Sequence, residues 1–134
     1  MMINNKKPIR VTGAIFLRDG DVLIAQRKKD QQLALKWEFP GGKVEPGEND
    51  KECLQRELEE EFGIKTRIGD YFCTSTYKYP HVIIELVCFF AFIEAGTIRL
   101  IDHATYEWVS IRNLLEFDLA EADIPVAKRL IENA

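Results

Sequence analysis

Four glutamates crowd into the stretch RELEEEFG, residues 56–63. The surrounding pattern predicts a helix, and at about 100° per residue Glu57, Glu60 and Glu61 share one arc beside its apolar stripe. Glu59 and Arg56 point elsewhere on the same projection. Like charges this close to a core repel and destabilise the fold. A divalent cation would relieve that repulsion, because oxygen ligands suit Mg²⁺ or Mn²⁺.

The acidic helix has two interpretations. A glutamate-rich helix is most often a solvated face. However, a glycine-rich loop, WEFPGGKVEPGEN at residues 37–49, precedes this one and adds Glu48. Such a loop can bring backbone carbonyls to the same place, and a cation there could hold phosphate oxygens and activate water. We expect Glu59→Gln to leave activity nearly intact, and Glu60→Gln to abolish activity and stabilise the metal-free fold.

The spacing of these residues is more specific than their composition. The pattern runs as follows: Gly42, five residues, Glu48, seven residues, Arg56-Glu57-Leu58, one residue, Glu60-Glu61, one residue, and Gly63-Ile64. Every specified position of the Nudix box is present, so the chain resembles the Nudix hydrolases. The stretches KWEFPGGKVEPGE, AQR and LAEADIPVAKRL resemble the MutT-like branch, including its CTP pyrophosphohydrolase-like members.

The resemblance implies an Mg²⁺- or Mn²⁺-dependent enzyme that cuts a nucleoside triphosphate into the monophosphate and pyrophosphate. The expected partner is a small-molecule nucleotide, with CTP, dCTP or a modified pyrimidine nucleotide as the first hypothesis. The alternative is 8-oxo-dGTP, which would make the chain a nucleotide-pool sanitation enzyme. A non-catalytic, nucleotide-sensing Nudix module is the alternative from another class, although its usual mark is a broken box and this box is whole.

The resemblance also assigns roles to residues of the box. Glu57, Glu60 and Glu61 would be the metal carboxylates, and the backbone carbonyl of Gly41 a further ligand. Arg56 would orient a glutamate of the box through an ion pair, unless it forms only a weak surface pair. The remaining supporting positions are Gly42 and Glu48.

MutT-like enzymes add a carboxylate six residues before a tryptophan. In this chain Asp102 stands six residues before Trp108, where the family often has glutamate. Glu107 is the alternative, although it is expected to be structural. Either could serve as metal ligand or general base, and Glu57 is a further candidate base. His103 is a candidate phosphate contact or a bystander.

Four positions match nucleotide-binding residues of the family. Arg27 would reach the phosphates, unless it is a solvated charge at a hairpin end. Phe39 and Tyr79 would line the base pocket, or they are core residues. Asp123 would read the base: an ionised carboxylate accepts from cytosine N4, whereas a protonated one could read an oxidised guanine. It could instead cap the last helix.

The elements that must position these residues can be predicted from periodicity and turn signals. Strands at 9–18 and 21–27 flank the Asp19-Gly20 turn. A helix runs from a capping box at Asn49 to Gly63. Two long strands follow, the second apolar on both faces and therefore central. After a loop at 101–105 come a short strand, YEWVS, and a last helix near Pro125.

Together these elements predict one α/β (α+β) domain over residues 1–134, a mixed β-sheet flanked by helices, with the Nudix box at 42–64. The Nudix resemblance implies an α/β/α sandwich. The composition, 46% apolar and 30% charged, is that of a globular protein.

Charge and composition exclude several function classes. A net charge of −4 argues against non-specific nucleic-acid binding. The uncharged, mostly apolar run at residues 86–93 is eight residues long, which is too short for a membrane span. The first ten residues lack the apolar run of a secretory signal. Three scattered cysteines predict reduced thiols in a cytoplasm. The expected assembly is a monomer or a homodimer.

Overall fold

The computed structural model describes residues 7–134. The expectation that the chain starts without a secretory signal concerns mainly residues 1–6, which lie outside the described residues. The strands are β1 (Ile9–Ile15), β2 (Leu17–Arg18), β3 (Asp21–Arg27), β4 (Trp37–Glu38), β5 (Gly41–Lys43), β6 (Lys65–Tyr79), β7 (Val82–Ala95) and β8 (His103–Ser110). The helices are α1 (Asp50–Phe62) and α2 (Ile124–Glu132), with 3-10 helices at Ile111–Glu116 and Glu121–Asp123.

The first sheet is mixed and has the strand order β5-β1-β7-β6. β1 runs parallel to β7, whereas β5 and β6 pair with their neighbours in antiparallel register. β7 is therefore an interior strand, which confirms the prediction from its apolar run. β5 lies at the edge, and this places the glycine-rich loop beside β1.

The second sheet contains β2, β3, β4 and β8, with β3 paired to the other three. Asp19 and Gly20 form the predicted turn between β2 and β3, with φ of 50° and 85°. The predicted single strand at 9–18 is wrong in one respect, because it divides at the buried Phe16. Its first part pairs in one sheet and its last two residues in the other, so two sheets replace the single predicted one.

Helix α1 begins and ends as its sequence signals predict. The Asn49 side chain accepts from the Glu52 amide, and the Glu52 side chain accepts from the Asn49 amide. Gly63 ends the helix in the left-handed region, with φ of 68°. The apolar stripe of α1, which includes Leu54 and Leu58, is fully buried.

Alternate residues of the strands enter two different cores. Ala14, Leu23 and Val87 pack in the cluster that contains the buried face of α1. Their neighbours Ile15 and Leu86 pack in the cluster that contains α2. Because successive side chains of a strand point to opposite faces, the helices cover opposite sides of the sheets. The α/β/α sandwich is confirmed.

Strand β8 begins at His103, so the loop predicted at residues 101–105 ends earlier than expected. Pairing with β3 extends the strand, and a register shift between Gln26 and Arg27 brings Arg27 opposite His103. None of the helices in residues 7–134 combines the length and apolar character that crossing a membrane requires.

Candidate functional site

A cavity of about 460 Å³ opens between the glycine-rich loop, α1, β1, the end of β3 and the segment before α2. Eight of the residues predicted from the sequence line it: Arg27, Phe39, Gly41, Gly42, Glu57, Glu61, Tyr79 and Asp123. The other predicted residues, Glu48, Arg56, Glu60 and Asp102, are not on its wall. The cavity thus joins the predicted metal face to the predicted base pocket.

Two glycines let the loop approach its neighbours closely. A Cβ atom on Gly41 would lie 1.9 Å from the Thr12 carbonyl oxygen, in the β1–β5 ladder. A Cβ atom on Gly42 would lie 2.2 Å from the Glu57 carboxylate. Any larger residue at position 42 would therefore displace Glu57, so this glycine supports the acidic edge of α1.

Arg56 connects the acidic residues of the box. Its Nε donates to Glu48 at 2.6 Å, and its Nη1 donates to Glu57 at 2.8 Å and to Glu60 at 3.1 Å. The helical projection that turned Arg56 away from the acids is wrong, because its long side chain reaches Glu57 and Glu60, which follow it in the helix. The hydrogen bond to Arg56 lowers the pKa of Glu48 to about 2. The contacts are those expected of an orienting ion pair.

Glu57 and Glu61 form a carboxyl pair on the cavity wall. Glu57 is buried, and burial together with a hydrogen bond to Glu57 raises the pKa of Glu61 to about 9. The negative charges of Asp102 and Glu38 act in the same direction. Near neutral pH Glu61 therefore keeps a proton, which it shares with Glu57 through the hydrogen bond between them.

Glu60 does not join this pair. Its side chain is 61% exposed and its carboxylate contacts Arg56. Within residues 7–134, no three His, Cys, Asp or Glu side chains are arranged as a ligand set for a metal ion. The Glu57–Glu61 pair fits a cation as it stands, because it offers oxygen ligands whose shared proton a cation can replace. Burial and the repulsion between the acids of this helix edge therefore raise the pKa of Glu61, whereas Glu60 stays in solvent beside Arg56.

Asp102 lies close to the C-terminal end of α1. The amides of Arg99 and Ile101 donate to the carbonyls of Phe62 and Glu61 at 2.8 and 3.3 Å. These bonds hold the chain before β8 against the helix, which explains why the exposed Asp102 affects the pKa of Glu61. Glu107, on β8, pairs in register with Ile24 of β3 and is not a cavity residue.

Asp123 is buried and occupies the position before α2, yet its side chain does not cap the helix. Its Oδ2 accepts from the Phe39 amide at 2.9 Å. Burial raises the pKa of Asp123 well above its ordinary value, and the charge of Glu38 adds to the shift. The capping interpretation is therefore wrong, and the burial of the carboxyl group favours its protonated form.

Hydrogen bonds or core packing hold the side chains of the other three predicted nucleotide-binding residues, Tyr79, Arg27 and Phe39. The Tyr79 hydroxyl accepts from the Ala122 amide at 3.1 Å, while its half-buried ring lines the cavity. Arg27 is not a solvated hairpin charge: its Nε donates to the Gln32 carbonyl at 2.7 Å. Phe39 is a core residue that also lines the cavity, and its contact with a base stays a prediction.

Sequence reasoning missed Glu38, which lines the cavity between Arg27 and His103. The glutamate is visible in WEFPGG, one position before Phe39. Its role was not, because its partners Arg27 and His103 lie 11 and 65 positions away and leave no local sequence pattern. His103 is 5% exposed and stacks on Phe62 at 5.0 Å between ring centroids. The hypothesis that it contacts phosphate is therefore wrong.

The sequence of this chain matches the NUDIX domain family over residues 7–130. The chain belongs to the Nudix hydrolase family. Members of this family generally use a divalent metal ion, and small nucleotides are consistent with its substrates. The whole box, the cavity and the α/β/α fold therefore belong to an enzyme of this family.

Two named relatives and one solved structure are similar to this chain over most of its length. The CTP pyrophosphohydrolase of Escherichia coli K12 is 40% identical over 120 residues, which cover 90% of this chain and 89% of that protein. The 8-oxo-dGTP diphosphatase of the same organism is 32% identical over 125 residues, covering 93% and 97%. The crystal structure of a MutT protein from Methanosarcina mazei Go1 superimposes with a TM-score of 0.87 at 27% identity, covering 98% of both chains.

Proposed function

We propose that this Nudix hydrolase is an Mg²⁺-dependent nucleoside triphosphate pyrophosphohydrolase whose preferred substrate is CTP, dCTP or a modified pyrimidine nucleotide. One observation carries the proposal: a single cavity holds the Glu57–Glu61 carboxyl pair, the Arg27 guanidinium and the buried Asp123. These groups suit a cation, a phosphate chain and a base respectively. The identity to the Escherichia coli CTP pyrophosphohydrolase supports the choice of base.

The metal site is proposed to use Glu57, Glu60, Glu61 and Asp102, together with the Gly41 carbonyl. A bound Mg²⁺ would screen the charge of the phosphates and make water a stronger nucleophile. Arg56 holds Glu57 in place, and once the shared proton had left to solvent, a Glu57 oxygen would be free to accept a proton from the attacking water. Glu60 would need only a side-chain rotation, because it is exposed.

The base would be read by a neutral Asp123. The Phe39 amide marks Oδ2 as an acceptor, so Oδ1 is left to donate. Cytosine presents an acceptor, N3, beside the N4 donor, whereas uracil presents a donor and an acceptor in the reverse order. A fixed order of donor and acceptor on Asp123 can therefore distinguish the two pyrimidines.

A second candidate substrate is 8-oxo-dGTP. The specific observation in its favour is the buried Asp123, whose raised pKa favours the protonated form, since a protonated carboxyl group can also pair with the donor and acceptor groups of an oxidised guanine. The Escherichia coli 8-oxo-dGTP diphosphatase is similar over nearly the whole chain.

The test is kcat/KM for pyrophosphate release from CTP, dCTP, UTP, 5-substituted dCTP, dGTP and 8-oxo-dGTP, with Mg²⁺ and with EDTA. We expect the cytidine nucleotides to lead and EDTA to abolish turnover. Asp123→Ala should narrow the difference between CTP and UTP by about tenfold, because one base contact contributes about 1–3 kcal/mol. A hundredfold preference for 8-oxo-dGTP would establish the second candidate instead. No turnover of any nucleotide would exclude hydrolase function and favour a sensing module.

A further inference from the structure

Glu38 is an acidic side chain on the cavity wall to which the proposed function gives no role. It lies on β4 and its side chain is 18% exposed. A carboxylate at this place repels the phosphates of a nucleotide, and such like-charge contacts oppose binding. Its presence therefore requires a compensating effect.

The partners of Glu38 show what that effect is. Oε2 lies 2.8 Å from His103 Nε2. Because a carboxylate only accepts, Nε2 carries the proton and donates. The imidazole is buried and stacked on Phe62, and its Nδ1 has no hydrogen-bond partner in the described part of the chain. Glu38 is thus tied to the core through a single, rigidly packed ring.

On its other side Glu38 holds Arg27. Nη1 of Arg27 lies 3.3 and 3.4 Å from the two carboxylate oxygens, and Nε donates to the Gln32 carbonyl at 2.7 Å. Nη2 forms no hydrogen bond with any residue in 7–134, although the arginine lines the cavity. Two of the three guanidinium nitrogens are therefore fixed to the protein, and the third, Nη2, remains for a ligand.

We propose that Glu38 is a positioning residue, anchored by His103, that holds the Arg27 guanidinium in the orientation needed to bind a nucleotide phosphate. An unrestrained arginine has many rotamers, and fixing it before binding removes an entropic cost that the ligand would otherwise carry. This effect outweighs the repulsion between Glu38 and the phosphates. The proposal rests on the proposed function only in taking its phosphate from a nucleotide.

A double-mutant cycle tests whether Glu38 acts through Arg27. Glu38→Gln in the wild-type background should raise KM for CTP about tenfold, with kcat changed less than about threefold. In the Arg27→Ala background the same substitution should change KM less than about twofold, because no guanidinium remains to be positioned. Equal effects in both backgrounds would overturn the proposal, since they would show that Glu38 contacts the substrate directly or supports only the fold.

Two further variants separate positioning from general damage. His103→Gln retains an N–H donor and should keep KM within about twofold, whereas His103→Leu should raise KM as Glu38→Gln does. Asp118→Asn removes an ion-paired carboxylate outside the cavity, and it should leave KM unchanged. If Asp118→Asn raises KM as much as Glu38→Gln, net charge is the cause and the proposal fails.

The same cycle can be run without catalysis. Calorimetric titration with CTP in EDTA measures nucleotide affinity directly and does not depend on turnover. If the wild-type protein hydrolyses no nucleotide, the hydrolase function fails, but the affinities of the four proteins in the cycle still decide the positioning role. Coupling between Glu38→Gln and Arg27→Ala in CTP affinity would support positioning. Independent effects, or no CTP binding by the wild type, would overturn it.

Discussion

Replacing Glu61 with glutamine removes a carboxyl group whose pKa the fold raises to about 9 from an ordinary value of 4.5. The folded chain therefore binds this proton more tightly than the unfolded chain does. It follows that the contribution of Glu61 to stability is most favourable below pH 4.5 and is lost progressively as the pH rises toward 9. Glutamine does not ionise, so the variant lacks this loss.

The expected magnitude follows from the linkage. Each pKa unit corresponds to about 1.4 kcal/mol, so the interval from 4.5 to pH 8 sets an upper bound of about 5 kcal/mol. Glu61 is only partly buried, and solvent screening together with the proton shared with Glu57 reduces this to about 1–2 kcal/mol. In EDTA at pH 8 the Glu61→Gln variant should be more stable than the wild type by that amount.

The assay is urea unfolding in EDTA at pH 5 and pH 8. The advantage of Glu61→Gln should grow with pH, and the exposed Glu59→Gln on the same helix should show no such trend. Added Mg²⁺ should stabilise the wild type more than the variant, because the cation replaces the shared proton only where both carboxylates are present. Equal stability of variant and wild type at both pH values would refute the account of a strained carboxyl pair.

Three further predictions follow from local geometry. Gly42→Ala should lower kcat by about a hundredfold, because its Cβ would lie 2.2 Å from the Glu57 carboxylate; kcat within threefold of wild type would contradict this. Asn49→Ala should lower the free energy of unfolding by about 1 kcal/mol in urea without changing kcat, and an unchanged midpoint would speak against the capping box. Arg56→Lys should reduce kcat/KM by about tenfold with an unchanged circular dichroism spectrum, since lysine cannot contact Glu48 and Glu57 at once; full activity would make the ion pairs dispensable.

The elements could largely be predicted because their signals are local. The capping pair Asn49 and Glu52 and the left-handed Gly63 set the limits of α1 from within the chain segment itself. The apolar run of β7 indicated an interior strand, since both of its faces must be buried. The division of the first strand at Phe16 was not predictable, because it depends on which distant strands pair with each half.

The sequence by itself determined which residue types form the candidate site and that Glu57, Glu60 and Glu61 share one edge of a helix. Only the tertiary structure decided their roles, because burial and distance between elements set protonation and pairing. The fold partly buries Glu61 and exposes Glu60. It likewise brings Asp123 to the Phe39 amide, 84 positions away, and the burial of the carboxyl group raises its pKa well above the ordinary value. Spacing along a chain fixes angles around one helix, but it carries no information about depth in the folded protein.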